Sequence, residues 1–171
     1  MFSLFKIMNP IYFIDLEGFQ HGEGRMIMKE LCIINIENPL GPLHYIFMAP
    51  KSLDELSEAE KIGFHYQTSR LHHLKWYEGL TRYCQNCTWH TITHVFPYWA
   101  EGTFYVMDKI NGTKIKFLQE EFPHLNLIAY NTVIFKNLPP LAEYEGCKYR
   151  DHGKHCAFRK CIQLYHHYLQ N

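Results

Sequence analysis

The order of strand-like and helix-like segments predicts an α/β fold with one mixed five-stranded sheet flanked by helices. Runs of β-branched and aromatic residues come first and are separated by short turns, so the first three strands are expected to be antiparallel. Helical periodicity then alternates with further strand-like runs. The chain has 171 residues, of which 47% are hydrophobic, which is enough for one domain with a packed core.

The three antiparallel strands are predicted from apolar runs in the first third of the chain. The first run covers 11–19 and reaches a glycine at Gly18, and the second covers 26–36. Asn38-Pro39-Leu40-Gly41-Pro42 is predicted as the turn before a short third strand over 43–48.

The remaining elements are predicted from capping signals and helical spacing. Ser52-Leu53-Asp54-Glu55 has the Ser-x-x-Glu form of a capping box and is expected to open a helix that reaches Lys61. The later predicted elements are helical pieces within 64–83, a strand over 103–107, a helix over 113–121, a strand over 125–130 and a helix over 156–169. In the last helix, Ile162, Tyr165 and Leu169 are expected to form one apolar stripe. No internal repeat or linker interrupts this order, so residues 1–171 are expected to form a single domain.

The amino-acid composition limits the kinds of molecule that the chain is expected to bind. Lys and Arg number 17, as do Asp and Glu, so the chain lacks the basic excess that is common in nucleic-acid binders. No apolar run approaches about 18 residues, and no secretory signal is recognised at the start, so we expect an intracellular protein with no membrane partner. The six cysteines are then expected to be thiols or metal ligands.

Two carboxylates stand on the predicted first strand. Asp15 and Glu17 are two residues apart, so their side chains project from the same face. If that face is buried, the two carboxylates repel each other and are costly to desolvate unless a cation such as Mg²⁺ or Mn²⁺ joins them. The alternative interpretation is that they form the polar face of an exposed strand.

The residues around this pair resemble a known superfamily. Tyr12-Phe13-Ile14-Asp15-Leu16-Glu17-Gly18-Phe19, followed by Lys29-Glu30-Leu31-Cys32-Ile33-Ile34, is similar to the opening of the ribonuclease H-like DEDD exonucleases. The resemblance implies a ribonuclease H-like fold and a two-metal site that two further aspartates complete. It also implies a histidine general base, so Asp15, Glu17 and His155 are the candidate catalytic residues.

Two later motifs depart from that pattern. Lys114 stands in the aspartate's place within Gly112-Thr113-Lys114-Ile115-Lys116-Phe117-Leu118. Lys160 stands in the other aspartate's place within His155-Cys156-Ala157-Phe158-Arg159-Lys160-Cys161. Because an ammonium group cannot ligate Mg²⁺, the two lysines weaken the expectation of two-metal exonuclease chemistry.

The segment before the last helix is rich in zinc-type ligands. Two cysteines and two histidines fall within ten residues, and zinc takes four such ligands in a tetrahedron. The alternative is a surface loop with incidental histidines. The pattern is similar to the Maelstrom domain of the germline small-RNA pathway, a DEDD-like fold with a Glu-Cys-His-Cys zinc site. That resemblance implies zinc ligation by Glu30, Cys147, His152 and Cys156, with His155 as a substitute for His152.

A second group of zinc-type residues lies in the middle of the chain. Cys84, Cys87, His90 and His94 have the spacing C-x2-C-x2-H-x3-H, which suits a second zinc if a turn follows Cys87. The alternative is a helix in which Cys84, Cys87 and Thr91 face the core while both histidines face outward.

The clearest concentration of positive charge lies between residues 148 and 160. Its members are Lys148, Arg150, Lys154, Arg159 and Lys160. A phosphate backbone is expected to bind there, although a solvated loop and helix face is an equally good interpretation. Aromatic residues in the middle of the chain, among them Trp76, Trp89 and Trp99, suit either base stacking or the core.

Together these patterns predict a zinc-stabilised ribonuclease H-like domain that binds single-stranded RNA, with weak or no nuclease activity. One alternative is an active 3′–5′ exonuclease on RNA or DNA, dependent on Mg²⁺ or Mn²⁺, in which Asp108 or Asp151 completes the site. The other alternative is a catalytically inactive module that binds protein partners.

Overall fold

A computed structural model gives the fold of residues 9–22, 25–130 and 156–170. These ranges contain a six-stranded mixed sheet in the order β4-β3-β2-β1-β5-β6. The strands are β1 (Ile11–His21), β2 (Arg25–Asn35), β3 (Asn38–Met48), β4 (Thr81–Arg82), β5 (Thr103–Met107) and β6 (Leu127–Tyr130). The helices are α1 (Glu58–Gln67), α2 (Gln85–Val95), α3 (Thr113–Glu121) and α4 (Ala157–Gln170). No helix within the described ranges combines the length and the apolar character that a bilayer crossing requires.

The α/β class and the antiparallel start of the sheet are confirmed. β1 pairs antiparallel with β2 and β2 antiparallel with β3, whereas β5 pairs parallel with β1 and β6 parallel with β5. The predicted number of five strands is wrong, because the described residues form six. The additional strand, β4, is only two residues long and pairs with the end of β3, so it has no periodicity that the sequence could display.

The predicted turn before the third strand is also wrong. The chain turns at residues 36–37, and β3 already begins at Asn38. Pro39 and Pro42 are tolerated because residues 39–42 lie at a register shift that leaves them without partners on β2, and β4 pairs only with Phe47 and Met48.

Two capping boxes follow β3. Ser52 and Glu55 form the predicted box, but it opens the short 3₁₀ turn Leu53–Glu55 rather than a long helix. A second box opens α1, where Ser57 N–H donates to Glu60 Oε2 at 2.7 Å and Glu60 N–H donates to Ser57 Oγ at 3.2 Å. The α-helix therefore begins at Glu58, because the second box provides acceptors for the N–H groups of Ser57 and Glu60, which have no partner within the helix.

Helices cover both faces of the sheet. One face, which includes Tyr12 and Leu16 of β1, packs against Ile92 of α2 and Leu118 of α3. The opposite face packs against α4, whose buried apolar side chains are Phe158, Cys161, Ile162 and Leu164. The predicted α4 stripe is partly wrong, because Leu169 is 58% exposed near the end of the helix.

A β-bulge between β1 and β2 inserts one residue. Glu17 lies opposite Glu30 while Gly18 lies opposite Met28, which leaves Lys29 as the extra residue. The fully buried Lys29 ammonium donates to the carbonyl oxygens of Trp76, at 2.9 Å, and of Glu78. Burial lowers the pKa of Lys29 to about 8. The bulge thereby anchors the segment that follows α1 to the sheet.

Candidate functional site

Asp15 and Glu17 lie on the face of β1 that α4 covers. Asp15 is opposite Cys32 of β2, and Cys32 belongs to the cluster that packs against α4. Asp15 is fully buried and Glu17 is 9% exposed. The interpretation of these carboxylates as the polar face of an exposed strand is therefore wrong, and their charges require compensation inside the protein.

Two lysines from distant parts of the chain meet this pair. Lys114, the second residue of α3, donates from Nζ to Asp15 Oδ1 and to Glu17 Oε1, at 2.8 Å each. Lys160, in the first turn of α4, donates to Glu17 Oε1 and lies 3.9 Å from Asp15 Oδ2. We call these four residues the lysine–carboxylate cluster. Their formal charges, two negative and two positive, sum to zero.

The position of Lys114 limits what the cluster can bind. Its ammonium bridges the two carboxylates, as a divalent cation would in a carboxylate metal site. A cation seated on the same oxygens would meet the positive charge of Lys114 at close range. In this arrangement the carboxylates are neutralised by hydrogen-bond donors, which cannot act as Lewis acids toward a phosphate.

The two carboxyl groups of the cluster titrate differently. Burial raises the pKa of Asp15, an effect that Lys114 and Lys160 only partly offset. Asp15 Oδ2 is buried and has no hydrogen-bond partner in the described part of the chain. For Glu17, burial also acts to raise the pKa, but attraction and hydrogen bonds from both lysines outweigh it, so the pKa is lowered. The pKa of Lys114 rises because attraction to both carboxylates exceeds the opposing effect of its burial.

Asp108 contributes to this geometry from outside the cluster. Its Oδ2 accepts the N–H of Ile115 at 3.1 Å and its Oδ1 accepts the N–H of Lys109 at 2.8 Å. Gly112 lies against the same carboxylate, since a Cβ there would be 2.0 Å from Asp108 Oδ1. Asp108 thus caps the start of α3 and helps to fix the backbone from which Lys114 projects.

A second buried polar group lies beside the cluster on the same face. Glu30 is fully buried, and its Oε1 accepts a hydrogen bond from His44 Nε2 at 2.7 Å and lies 3.6 Å from Cys156 Sγ. Its Oε2 accepts the N–H of Ala157, the first residue of α4, at 3.1 Å. Glu30 therefore links β2 to β3 and to the start of α4.

Glu30 and Cys156 are spaced as neighbouring zinc ligands would be. With Zn–O and Zn–S bonds of about 2.0 and 2.3 Å, a tetrahedral site separates its oxygen and sulfur ligands by about 3.5 Å. Cys156 Sγ donates a hydrogen bond to Glu30 Oε1 at 3.6 Å, a separation that is also compatible with this zinc geometry. His44 Nε2 lies 2.7 Å from Glu30 Oε1. This is the distance of a hydrogen bond that orients the carboxylate, and it is too short for two ligands of one zinc ion.

Seven of the predicted residues near the C-terminal end lie outside the described residues, namely Cys147, Lys148, Arg150, Asp151, His152, Lys154 and His155. Within the described ranges, no three His, Cys, Asp or Glu side chains form a group that could hold a metal ion. Of the predicted basic residues, Lys160 is turned inward onto Glu17, and Arg159 is half-buried in the first turn of α4.

Neither a protein-family model nor a curated protein matches this sequence. The roles of the lysine–carboxylate cluster and of the Glu30–Cys156 pair are therefore inferred from the distances, burial and charges of their own residues.

The middle cysteine–histidine group lies on and before α2. Cys84 is the N-cap residue, and Cys87 is in the first turn; both are exposed, as are His90 and His94. The chain is helical here, but the core-facing residues are Thr88 and Ile92 rather than the predicted Cys84, Cys87 and Thr91. A second zinc at these residues stays a prediction.

The two middle thiols differ from each other. Cys84 Sγ accepts the N–H of Cys87 at 3.3 Å. Hydrogen bonding by the neighbouring Cys87 lowers the pKa of Cys84, whereas the proximity of Cys84 raises the pKa of Cys87.

His44 is the site residue that sequence reasoning missed. It lies opposite Cys32 in the β2–β3 register and stacks on Phe158 of α4, with ring centroids 5.7 Å apart. Side chains alternate between the two faces of a strand, so His44 could have been assigned to the face of Glu30 only if the start of β3 and its register with β2 had been known. The incorrectly predicted turn over Asn38–Pro42 removed that signal.

We expect Lys114→Met to lower the free energy of unfolding by about 3–5 kcal/mol at pH 7, since it leaves buried carboxylates undercompensated. The loss should shrink as the pH falls to 5. In the variant, burial without the charge of Lys114 is expected to raise the pKa of both carboxyl groups, so their protonation relieves part of the loss. In the wild type, Glu17 has a pKa lowered from 4.5, so its stabilising effect is largely retained between pH 7 and 5 and is lost only at lower pH. Urea unfolding at the two pH values measures this difference.

Lys61→Met is the matched control for this measurement. Lys61 pairs with Glu58 at 2.8 Å on the surface of α1, so its replacement should change stability little at either pH. Equal, pH-independent losses in the two variants would contradict the role assigned to Lys114.

Proposed function

We propose that this chain is a zinc-stabilised ribonuclease H-like domain that binds single-stranded RNA and lacks metal-dependent nuclease activity. The observation that carries the proposal is the seating of Lys114 and Lys160 on Asp15 and Glu17. A protein that binds RNA without cleaving it has no need for a pair of catalytic cations at these carboxylates.

The convergence of three sequence motifs supports the ribonuclease H-like assignment. In the exonucleases that the sequence resembles, the Asp-x-Glu strand works with carboxylates from two later motifs. Here the residues at the two later motif positions, 99 and 143 residues away from their partners, both contact that strand. The strand is an inner one, between β2 and β5, and the first three strands are antiparallel, as that fold requires.

Charge explains why metal-dependent cleavage is not expected. Four carboxylates would present four negative charges to a pair of divalent cations, whereas the lysine–carboxylate cluster presents none. Without that attraction, Mg²⁺ has no reason to give up its water shell, to which it is strongly bound. The weak ribonuclease activity of Maelstrom domains does not use these metals, so the resemblance allows slow cleavage that is independent of the cluster.

Exposed aromatic side chains support binding of single strands. Tyr98 is 68% exposed, and the adjacent Trp99 packs edge-to-face on Trp89 with ring centroids 4.8 Å apart. Unpaired bases stack on such rings with little dependence on sequence. The formal net charge of the chain is zero, so few basic groups are available for phosphate contacts. Binding of single strands through base stacking needs fewer such contacts than binding of a duplex.

The Glu30–Cys156 pair supports the zinc part of the proposal. By the resemblance, Cys147 and His152 or His155 supply the remaining ligands. Zinc bound there would join β2 to the start of α4 and would be structural, since all four ligand positions would be taken by the protein.

The first prediction of this proposal concerns RNA. Fluorescence anisotropy at low salt should detect binding to a labelled single-stranded RNA, with weaker binding to a duplex of the same sequence. Incubation of that RNA with Mg²⁺, Mn²⁺ or a chelator should give no degradation that depends on the metal. Metal-dependent degradation that Asp15→Ala abolishes would favour the active exonuclease instead. Absence of binding to both RNA and DNA would favour the protein-interaction module.

The second prediction restores the carboxylates. The double variant Lys114→Asp/Lys160→Asp should unfold at a lower temperature than the wild type without metal, because four carboxylates then repel one another. Its Tm should rise on addition of Mg²⁺ or Mn²⁺, whereas the Tm of the wild type should not. The control Lys114→Asn/Lys160→Asn removes the same lysines without adding charge and should respond less to the cations. An equal response in all three proteins would contradict the assignment.

The third prediction concerns zinc. Purified protein should contain about one zinc per chain, and Cys156→Ser should lose most of it and lower the Tm. Cys161→Ala is the matched control, since Cys161 is equally buried on α4 but its thiol faces the carbonyls of Phe13 and Cys32. It should keep its zinc while losing some stability. Full zinc content in Cys156→Ser would contradict the proposed ligand.

A further inference from the structure

Two cysteines share the solvent-exposed start of α2. Cys84 is the N-cap residue and Cys87 follows three positions later, so their side chains lie on the same side of the first turn. The N–H of Cys87 donates to Cys84 Sγ at 3.3 Å, so the backbone of the second cysteine contacts the sulfur of the first. Cys84 and Cys87 are three positions apart, about one turn, and a disulfide needs Cα atoms about 4.4–6.8 Å apart, which such a turn can reach.

The other described cysteines have different surroundings. Cys32, Cys156 and Cys161 are fully buried between the sheet and α4. A reagent in solution therefore reaches Cys84 and Cys87 before any of these three. Two exposed cysteines at Cys-x-x-Cys spacing, with the first sulfur accepting an N–H at a helix N-terminus, favour reversible oxidation over a purely structural role.

We propose that Cys84 and Cys87 form a thiol–disulfide exchange site that low-molecular-weight disulfides of the glutathione type oxidise to an intramolecular disulfide. The proposal is independent of RNA binding and of the zinc at Glu30 and Cys156. It also differs from the predicted second zinc, since it needs neither His90 nor His94.

The structure assigns different roles to the two sulfurs. Cys84 Sγ sits where the first N–H groups of α2 point and accepts one of them, so a thiolate is stabilised at this residue. Cys84 is therefore the attacking sulfur. Cys87 lies beside it as the resolving sulfur.

The exchange has two steps. The Cys84 thiolate attacks one sulfur of glutathione disulfide, which forms a Cys84–glutathione mixed disulfide and releases one glutathione thiolate. Cys87 then loses its proton to solvent, and its sulfur attacks Cys84 Sγ and releases the second glutathione. Two protein thiols are oxidised to one disulfide while one glutathione disulfide is reduced to two glutathione molecules.

The surrounding fold accommodates this change. The face of α2 that packs against the core carries Thr88 and Ile92, and neither thiol belongs to it. Oxidation therefore constrains an exposed turn without disturbing the buried contacts. Serine is among the best N-cap residues, so Cys84→Ser should preserve the start of the helix.

Peptide mapping after oxidation tests the proposal on the full chain. The protein is incubated with glutathione disulfide, alkylated and digested, and the peptides are identified by mass spectrometry. We expect the wild type to yield a Cys84–Cys87 disulfide that dithiothreitol reverses. Cys87→Ser should accumulate the mixed disulfide with glutathione at Cys84. In Cys84→Ser, the remaining Cys87 should react at least about tenfold more slowly than Cys84 does in Cys87→Ser.

Circular dichroism of both variants establishes that α2 and the rest of the fold are retained. Three outcomes would overturn the proposal. One is that both thiols stay reduced. Another is that the wild type accumulates mixed disulfides that Cys87 does not resolve. The last is that the thiols react only after a chelator has removed bound zinc, which would identify the residues as metal ligands.

Discussion

Two carboxylates on an inner strand require compensating positive charge, and the positions of two helices depend on that requirement. An uncompensated charge at the depth of Asp15 costs several kcal/mol, which is a large share of the stability of a domain this size. Lys114 at the start of α3 and Lys160 near the start of α4 supply the compensation. The two helices are thereby tied to the same point on β1.

The start of α4 is held at a second point as well. Glu30 accepts the N–H of Ala157 and contacts Cys156, about one turn before Lys160 reaches Glu17. Apolar burial of Phe158, Cys161 and Leu164 supplies most of the attraction between α4 and the sheet, but such contacts tolerate sliding. The two polar contacts are directional, so they fix where along the sheet the helix begins.

The lysine–carboxylate cluster connects stability with the proposed function. A nuclease site of four carboxylates is held together by the cations it binds, whereas the lysine–carboxylate cluster holds itself together without them. The scaffold can then present aromatic side chains and an exposed dithiol without depending on magnesium. In this protein the two features lie on or near α2, outside the cluster.

The sequence alone determined the α/β class, the antiparallel order of β1 to β3, the positions of α3 and α4, and the pairing of Asp15 with Glu17 on one face. Periodicity, capping residues and short turns are local properties, so the chain displays them directly. The resemblance also singled out positions 114 and 160, whose lysines contact Asp15 and Glu17 in the structure.

Tertiary structure alone decided what those lysines do, because a sequence does not show whether an ammonium faces solvent, a phosphate or a carboxylate. It also decided the start of β3, the existence of β4 and the role of His44. Each of these depends on register between strands, which is set by contacts between residues far apart in the chain.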